Sequence, residues 1–263
     1  MPWVLDLDGV VWLGDSPIAG SIDAIRTLRR AGEQVLFLTN NSSMTVGAYL
    51  AKMGSLGLEC APSELCTAAQ AASLLVDPDE VVLVCGGPGI VEAVAQRGAR
   101  VVSEPTHDVT AVVAGWHRDF DFSRLTAAFR AVHHGARLIG TNDDPTYPSA
   151  DGPLPGGGSI VAAIAYAGGV TPQFGGKPNE PAARLVFERL GWSANPTPSQ
   201  RAMITMVGDR PSTDGGMARR LGGRFGLVLS GVVSERDLPV EPAPDLIAQD
   251  LAALIEGRLL SFD

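Results

Sequence analysis

Cysteine is scarce in this sequence, and long apolar runs are absent from it. The 263 residues include three cysteines, Cys60, Cys66 and Cys85, with no Cys-x-x-Cys spacing. An odd number of unpaired cysteines argues against a disulfide framework and favours a reducing compartment. No apolar run is long enough to span a membrane, and Asp6 and Asp8 interrupt the segment where a signal peptide needs an apolar stretch. We therefore expect a soluble, cytoplasmic protein.

Positive charge is also limited. The formal net charge is −9, which argues against nucleic acid or an anionic membrane as a partner. Of the 20 basic residues, two are lysines, Lys52 and Lys177, so a lysine in a glycine-rich loop stands out. The sequence has no GxGxxG, Walker A or GxSxG motif. These absences argue against nucleotide-binding loops of the common kinds and against a serine hydrolase.

Short β-rich runs alternate with longer helical periodicities, which predicts an α/β protein with a mainly parallel sheet. The predicted strands are 3–5, 34–38, 81–84, 109–114, 138–140, 203–207 and 226–229. The predicted helices are 21–28, 44–56, 66–76, 89–97, 123–134, 158–167, 180–190 and 213–221.

The spacing of polar clusters predicts a second domain within the first. Asp8 to Thr39 and Lys177 to Asp209 each fit a single strand–helix step, whereas Thr39 to Lys177 is far too long for one. We therefore expect a core domain formed by residues 1–76 and 174–263, with a smaller α/β domain inserted at 77–173.

Carboxylates follow two of the predicted strands. Asp6 and Asp8 come directly after the first strand, and Asp209 and Asp214 follow the strand at 203–207. Ligands bind outside the carboxyl ends of parallel strands, and convergent carboxylates there suit Mg²⁺. The alternative is that these are loop carboxylates that cap helices or lie in water.

Two further clusters could bind phosphate. Thr39, Asn40, Asn41 and Ser42 offer hydroxyl, amide and backbone donors before a predicted helix, although an ordinary N-cap has the same composition. Lys177 could screen carboxylates and hold a phosphate oxygen, or it could be a surface lysine.

In order and spacing, the motifs DLDGV, TNNS, GKP and GDRPSTD resemble those of the haloacid dehalogenase (HAD)-like phosphatases. The long gap after TNNS, with GWHRDFDFSRL at 115–125 and TNDDPTYPSADGPLPGGGS at 141–159, resembles the class IIA (NagD-like) branch. That branch includes nucleotide, p-nitrophenyl, pyridoxal, phosphoglycolate and glycerol-phosphate phosphatases. The resemblance implies a Rossmann-like doubly wound parallel sheet with an inserted α/β cap domain.

The resemblance also implies chemical roles. Asp6 would be the nucleophile that forms an aspartyl-phosphate, and Asp8 the general acid and base. Mg²⁺ would be held by the Asp6 carboxylate, the Asp8 backbone carbonyl and Asp209, with Asp214 in support.

The phosphate-binding residues implied by the resemblance are Thr39, Asn40, Asn41 and Lys177. In the cap, Tyr147 is a candidate substrate-binding residue, which could stack on a substrate ring or pack within the protein.

The expected function is Mg²⁺-dependent hydrolysis of a small phosphorylated metabolite. The alternatives are a phosphotransferase that uses the same aspartyl-phosphate and a catalytically weak metal- or phosphate-binding regulatory module. The resemblance also makes a homodimer a candidate assembly.

Overall fold

The computed structural model describes residues 1–147 and 152–260. The chain forms two compact units. The first unit comprises Met1–Thr39, Leu50–Cys66 and Lys177–Asp263, and the second comprises Asn40–Tyr49 and Thr67–Gly176. The proposed domain limits at 77 and 173 differ from these divisions and stay a prediction.

The strands of the structure, in chain order, are β1 (Pro2–Leu5), β2 (Trp12–Leu13), β3 (Ser16–Pro17), β4 (Gln34–Thr39), β5 (Leu65–Thr67), β6 (Val81–Cys85), β7 (Arg100–Val102), β8 (Ala111–Ala114), β9 (Arg137–Gly140), β10 (Thr146–Tyr147), β11 (Leu154–Pro155), β12 (Gln173–Phe174), β13 (Thr205–Gly208), β14 (Arg224–Val228) and β15 (Leu246–Ala248).

The α-helices are α1 (Ser21–Arg30), α2 (Val46–Ser55), α3 (Ala68–Ser73), α4 (Pro88–Gln96), α5 (Phe122–His133), α6 (Gly157–Gly168), α7 (Glu180–Arg189), α8 (Pro198–Arg201), α9 (Gly216–Leu221) and α10 (Leu251–Ile255). Short 3₁₀ turns cover Pro62–Glu64 and Glu235–Asp237, and a π-helical turn covers Pro211–Gly215.

The first unit is built on a sheet in the order β15-β14-β13-β1-β4-β5. β1 lies near its centre and pairs in parallel with both β13 and β4. β1 and β4 are almost entirely buried, as expected for parallel strands covered by helices. Helix α1 packs against α10, and α7 packs against α9. The carboxyl ends of β13, β1 and β4 therefore come together at one edge of a rigid sheet.

The second unit has its own parallel sheet, in the order β12-β9-β8-β6-β7. Successive residues of β6 enter two different apolar clusters. Val82 and Val84 pack with residues of α3 and α4, whereas Leu83 and Cys85 pack with residues of α5 and α6. This alternation places helices on both faces of the sheet.

The structure confirms the predicted α/β fold with parallel sheets and helices. The predicted strand at 203–207 is shifted, because Ile204 closes the turn that follows α8 by donating to Arg201, and β13 begins at Thr205. Among the described residues, no helix combines the length and the apolar character needed to cross a bilayer.

Candidate active site

The candidate site is formed in the first unit, where adjacent parallel strands end. Asp6 directly follows β1, Asp209 directly follows β13, and Thr39 is the last residue of β4. The backbone N–H of Asp6 donates to the Val207 carbonyl at 2.9 Å, which continues the pairing of β1 with β13 by one residue. The position of the Asp6 backbone is therefore set by the sheet and not by a free loop.

Lys177 is the centre of a buried ion-pair network. Its Nζ lies 2.8 Å from Asp6 Oδ1 and 2.7 Å from Asp214 Oδ1, and the lysine side chain is 1% exposed. This geometry rules out the surface-lysine alternative. The network joins Lys177, which lies between β12 and α7, to the end of β1 and to the π-helical turn at Pro211–Gly215.

The carboxylates of Asp6, Asp209 and Asp214 converge. One oxygen from each lies within 4.8 Å of the others, and all three side chains are buried. Asp209 Oδ2 accepts a hydrogen bond from the Val232 N–H at 2.7 Å, and Asp214 Oδ2 accepts one from the Arg210 N–H at 3.0 Å. Among the described residues, one lysine contacts these three buried carboxylates, so the cluster carries excess negative charge. This all-oxygen donor set fits Mg²⁺.

The electrostatics of these carboxylates reflect the excess charge. Burial raises the pKa of Asp6 well above its usual value, and repulsion from Asp214 and Asp209 adds to the effect while Lys177 opposes it. Burial, followed by the charge of Asp214, raises the pKa of Asp209 to about 6. For Lys177, burial alone would lower the pKa, but Asp214 and Asp6 outweigh it and raise the pKa, so the lysine stays charged. The three carboxylates therefore favour the binding of a cation or the uptake of protons.

Two glycines allow backbone to approach Asp209 closely. A Cβ at Gly231 would lie 1.9 Å from Asp209 Oδ2, and a Cβ at Gly9 would lie 2.4 Å from the same atom. Gly9 also has a φ of 85°, which disfavours any residue with a side chain. The Ser230 hydroxyl donates to the Gly9 carbonyl at 2.7 Å, so the segment after β14 is tied to the turn after β1.

Asp8 is held by a different partner. The chain turns after β1, with the Gly9 N–H donating to the Trp12 carbonyl at 2.8 Å. The turn brings the Trp12 indole to the Asp8 carboxylate, where Nε1 donates to Oδ1 at 3.0 Å. Burial raises the pKa of Asp8, although the Trp12 hydrogen bond favours its charged form.

The predicted substrate residues Asn40, Asn41 and Tyr147 belong to the second unit. The Asn40 side chain donates to Asp144 at 3.0 Å, and Tyr147 stacks on Trp116 with ring centroids 4.7 Å apart. Packing of Tyr147 within its own unit is therefore observed, while substrate contact by these three residues stays a prediction. Residues 148–151 of the motif at 141–159 lie outside the described residues.

Sequence reasoning missed the supporting residues. Trp12, Gly231 and Val232 lie against the candidate carboxylates, and the Arg210 backbone N–H donates to Asp214. Arg210 and Gly231 each follow a buried strand closely, which is a usable signal, whereas the role of Trp12 depends on a turn whose geometry the sequence does not show.

The parallel sheet, the convergent carboxylates and the buried lysine define an α/β protein with a candidate metal site. Comparison with known proteins identifies its family. A model described as haloacid dehalogenase-like hydrolase matches residues 3–100, and one described as HAD-hydrolase-like matches residues 174–254. Chronophin of Mus musculus is 32% identical over 278 residues, which cover 97% of this chain and 91% of that protein.

Solved structures are similar over nearly the whole chain. The p-nitrophenyl phosphatase from Archaeoglobus fulgidus has a TM-score of 0.88 and 28% identity, covering 97% of this chain and 98% of that one. The glycerol phosphate phosphatase from Mycobacterium tuberculosis, in complex with magnesium, has a TM-score of 0.86 and 32% identity, covering 96% of this chain and 75% of that one. The chain belongs to the haloacid dehalogenase-like hydrolases, and it is a phosphatase of that family.

Proposed function

We propose that the protein hydrolyses a small phosphorylated metabolite through an aspartyl-phosphate formed on Asp6. The observation that carries this proposal is the buried contact of Lys177 with Asp6, 2.8 Å long, beside the carboxylates of Asp209 and Asp214. A carboxylate fixed at the end of a central strand, next to a charged lysine and a cation site, is suited to attack a phosphoryl group.

The residues that would hold Mg²⁺ are Asp6, Asp209 and the backbone carbonyl of Asp8, with Asp214 in a supporting position. When bound, Mg²⁺ supplies positive charge that reduces repulsion between the carboxylates and the substrate phosphate. The hydrogen bonds from the Val232 and Arg210 N–H groups orient Asp209 and Asp214 for this purpose. Asp214 also orients Lys177 through their 2.7 Å contact.

In the first step, an Asp6 carboxylate oxygen attacks phosphorus and the bond from phosphorus to the leaving oxygen breaks. Asp8 donates its proton to that oxygen, so the alcohol leaves neutral. Burial raises the pKa of Asp8, which favours the protonated form that this step requires.

In the second step, water attacks the phosphorus of the aspartyl-phosphate. Asp8, now a carboxylate, accepts the proton from that water, and the bond between phosphorus and Asp6 breaks to release inorganic phosphate. Asp6 regains its carboxylate and Asp8 regains its proton, which completes the cycle.

Lys177 and Thr39 would stabilise the charge on the phosphoryl oxygens. Lys177 remains protonated, because Asp214 and Asp6 raise its pKa. Thr39 is 2% exposed at the end of β4, where the sheet fixes its backbone. Preorganised donors of this kind are usually the main source of catalysis in phosphoryl transfer.

The substrate class is supported by the relatives. One similar structure is a glycerol phosphate phosphatase and another a p-nitrophenyl phosphatase, so leaving groups of different shape are accepted within the family. A small phosphomonoester is the substrate class that fits both, and Asn40, Asn41 and Tyr147 are our candidates for contacting it.

The decisive experiment traps the intermediate. Protein mixed with Mg²⁺ and p-nitrophenyl phosphate is quenched in acid, and peptide mass spectrometry locates the added phosphoryl group. We expect it on Asp6. Asp6→Asn should remove both the adduct and turnover, whereas Asp23→Asn, on the exposed face of α1, should retain both.

Other outcomes would select the alternatives. An adduct on Asp6 whose phosphoryl group passes to added glycerol in preference to water would indicate a phosphotransferase. Binding of Mg²⁺ without adduct or phosphate release, across a panel of phosphomonoesters, would indicate a regulatory module. Full turnover by Asp6→Asn would overturn the proposed mechanism.

A further inference from the structure

The turn after β1 contains a partly buried hydrogen bond between Trp12 and Asp8, the proposed general acid and base. Trp12 is 1% exposed, and its indole Nε1 donates to Asp8 Oδ1 at 3.0 Å. Among the described residues, the Asp8 side chain makes this one hydrogen bond, and its other oxygen, Oδ2, has no hydrogen-bond partner. The two oxygens of the carboxyl group are therefore not equivalent.

The direction of the indole N–H is fixed from several sides. The Lys52 Nζ lies 4.6 Å from the centre of the Trp12 ring and donates to the Gly14 carbonyl at 2.7 Å. The Trp12 backbone carbonyl accepts from the Gly9 N–H at 2.8 Å. A buried ring held by its own backbone and covered by an ammonium group cannot turn away from Asp8 without repacking.

An indole N–H donates and never accepts. The oxygen that it contacts must therefore offer a lone pair, whether the carboxyl group is charged or neutral. In a neutral carboxyl group the carbonyl oxygen is a better acceptor than the hydroxyl oxygen. The Trp12 N–H at Oδ1 therefore favours the proton of Asp8 on the other oxygen, Oδ2.

We propose that Trp12 is a positioning residue that makes Oδ2 of Asp8 the oxygen that gives and receives the proton. This inference rests on the proposed role of Asp8 as general acid and base. Trp12 itself touches neither substrate nor metal in this scheme; it restricts the Asp8 carboxyl group to one orientation and one proton-bearing oxygen.

The test is the dependence of kcat/KM on the leaving group. Phenyl phosphate needs a proton on its leaving oxygen much more than p-nitrophenyl phosphate does, and the two substrates are similar in shape. General acid catalysis contributes factors of about 10² to 10⁴, so we expect Trp12→Phe to lower kcat/KM for phenyl phosphate by about tenfold or more. For p-nitrophenyl phosphate the loss should be less than about threefold, because little protonation is needed.

The matched control is Trp3→Phe. The Trp3 indole N–H is buried and, within the part of the chain that the structure describes, has no hydrogen-bond partner. The same chemical change there should leave the ratio of the two kcat/KM values unaltered. An equal loss on both substrates in Trp12→Phe, or no loss, would overturn the positioning role.

The variant Asp8→Asn distinguishes failure of the proposed role of Trp12 from failure of the proposed role of Asp8. It should show the same leaving-group dependence, only stronger, and adding Trp12→Phe to it should have no further effect on phenyl phosphate. If Asp8→Asn lacks that dependence, the role of Asp8 fails and the inference fails with it. If Asp8→Asn shows it and Trp12→Phe does not, the role of Trp12 alone fails.

If Trp12→Phe does not fold, a second variant tests the proposal. Benzothienylalanine at position 12 has the shape of tryptophan but carries sulfur in place of the N–H. It should reproduce the selective loss on phenyl phosphate, and unchanged activity on both substrates would contradict the proposal.

Discussion

Lys177 shows how a single residue links folding to function. Its side chain is 1% exposed, and its ammonium group contacts two buried carboxylates, Asp6 and Asp214. Burying charges is costly, and the cost is offset here because opposite charges are in direct contact. A site built this way is stable only while the lysine is present.

We expect Lys177→Met to abolish turnover and to destabilise the metal-free protein. Removing one member of a buried ion pair costs about 3–5 kcal/mol, since the remaining carboxylates lose their counter-charge. The loss should be smaller at pH 5.5 than at pH 7.5, because the carboxylates can then take up protons. Urea unfolding at the two pH values measures the loss of stability and its pH dependence, and phosphate release measures turnover.

The control for Lys177→Met is Arg26→Met in α1, where the guanidinium forms an exposed ion pair with Asp23. An exposed pair contributes less than about 1 kcal/mol, so the free energy of unfolding should change little at either pH. Equal losses in the two variants would contradict the importance of the buried network.

Asp209 predicts a pH dependence of metal binding. Its pKa in the metal-free protein is raised to about 6, by burial and then by Asp214. Between about pH 4 and pH 6, the folded metal-free protein thus keeps a proton on Asp209 that the unfolded chain has already lost. The contribution of Asp209 to stability therefore falls as the pH rises through this range. Mg²⁺ must displace that proton at low pH.

We therefore expect Mg²⁺ to raise the melting temperature more at pH 7.5 than at pH 5. At pH 5, one unit below the pKa of Asp209, the apparent Mg²⁺ affinity should be about tenfold weaker. Isothermal calorimetry in buffers of different ionisation enthalpy would detect the released proton. An affinity that does not change between these pH values would contradict the assignment.

At the scale of elements, the segment after β14 determines the position of Asp209. Val232 donates to Asp209 Oδ2, Ser230 donates to Gly9, and Gly231 leaves no space for a Cβ beside the carboxylate. The segment that follows β14 thus supports a proposed metal ligand, Asp209, which follows the neighbouring strand β13.

Gly231→Ala should weaken Mg²⁺ binding by about tenfold or more, because outer-sphere partners of a metal ligand typically contribute 10- to 100-fold. The physical reason is that the new methyl group must displace the Asp209 carboxylate. Mg²⁺ titration of activity and of melting temperature measures the change. Gly54→Ala in α2, where a Cβ meets open space, is the control and should leave Mg²⁺ affinity unchanged.

The elements that the sequence predicts well are long and strongly apolar. β1, β4 and β6 contain continuous apolar runs, and α1 has a clear amphipathic period that ends before Gly32. The short strands at the sheet edges, such as β7 and β15, have three residues each and too little pattern to detect.

The convergence of Asp6, Asp209 and Lys177 was predictable because each follows a strand or precedes a helix in a parallel sheet. The pairing of Asp214 with Lys177 was not, because it depends on the π-helical turn at Pro211–Gly215. The contact of Trp12 with Asp8 was missed for the same reason, since it depends on a turn with Gly9 at positive φ. The pattern of a single sequence does not determine the backbone geometry of such turns, so contacts that depend on them could not be predicted.

At the scale of the whole molecule, the two units differ in what they contribute. Every carboxylate of the candidate metal site belongs to the first unit. The second unit has a contiguous five-stranded sheet with an apolar cluster on each face, and these clusters are formed from residues 69–174. Its stability should therefore not depend on the metal.

We expect a fragment of residues 67–176 to fold by itself and to melt cooperatively. Mg²⁺ should raise the melting temperature of the full chain and leave that of the fragment unchanged, because the fragment lacks Asp6, Asp209 and Asp214. Circular dichroism with and without Mg²⁺ measures both. Ile139→Asp, which buries a charge in the centre of the fragment's sheet, should abolish its transition and serves as the unfolded reference. A fragment that has no cooperative transition would show that residues 67–176 need the rest of the chain to fold. A Mg²⁺-dependent transition would show that the fragment contains a metal site of its own.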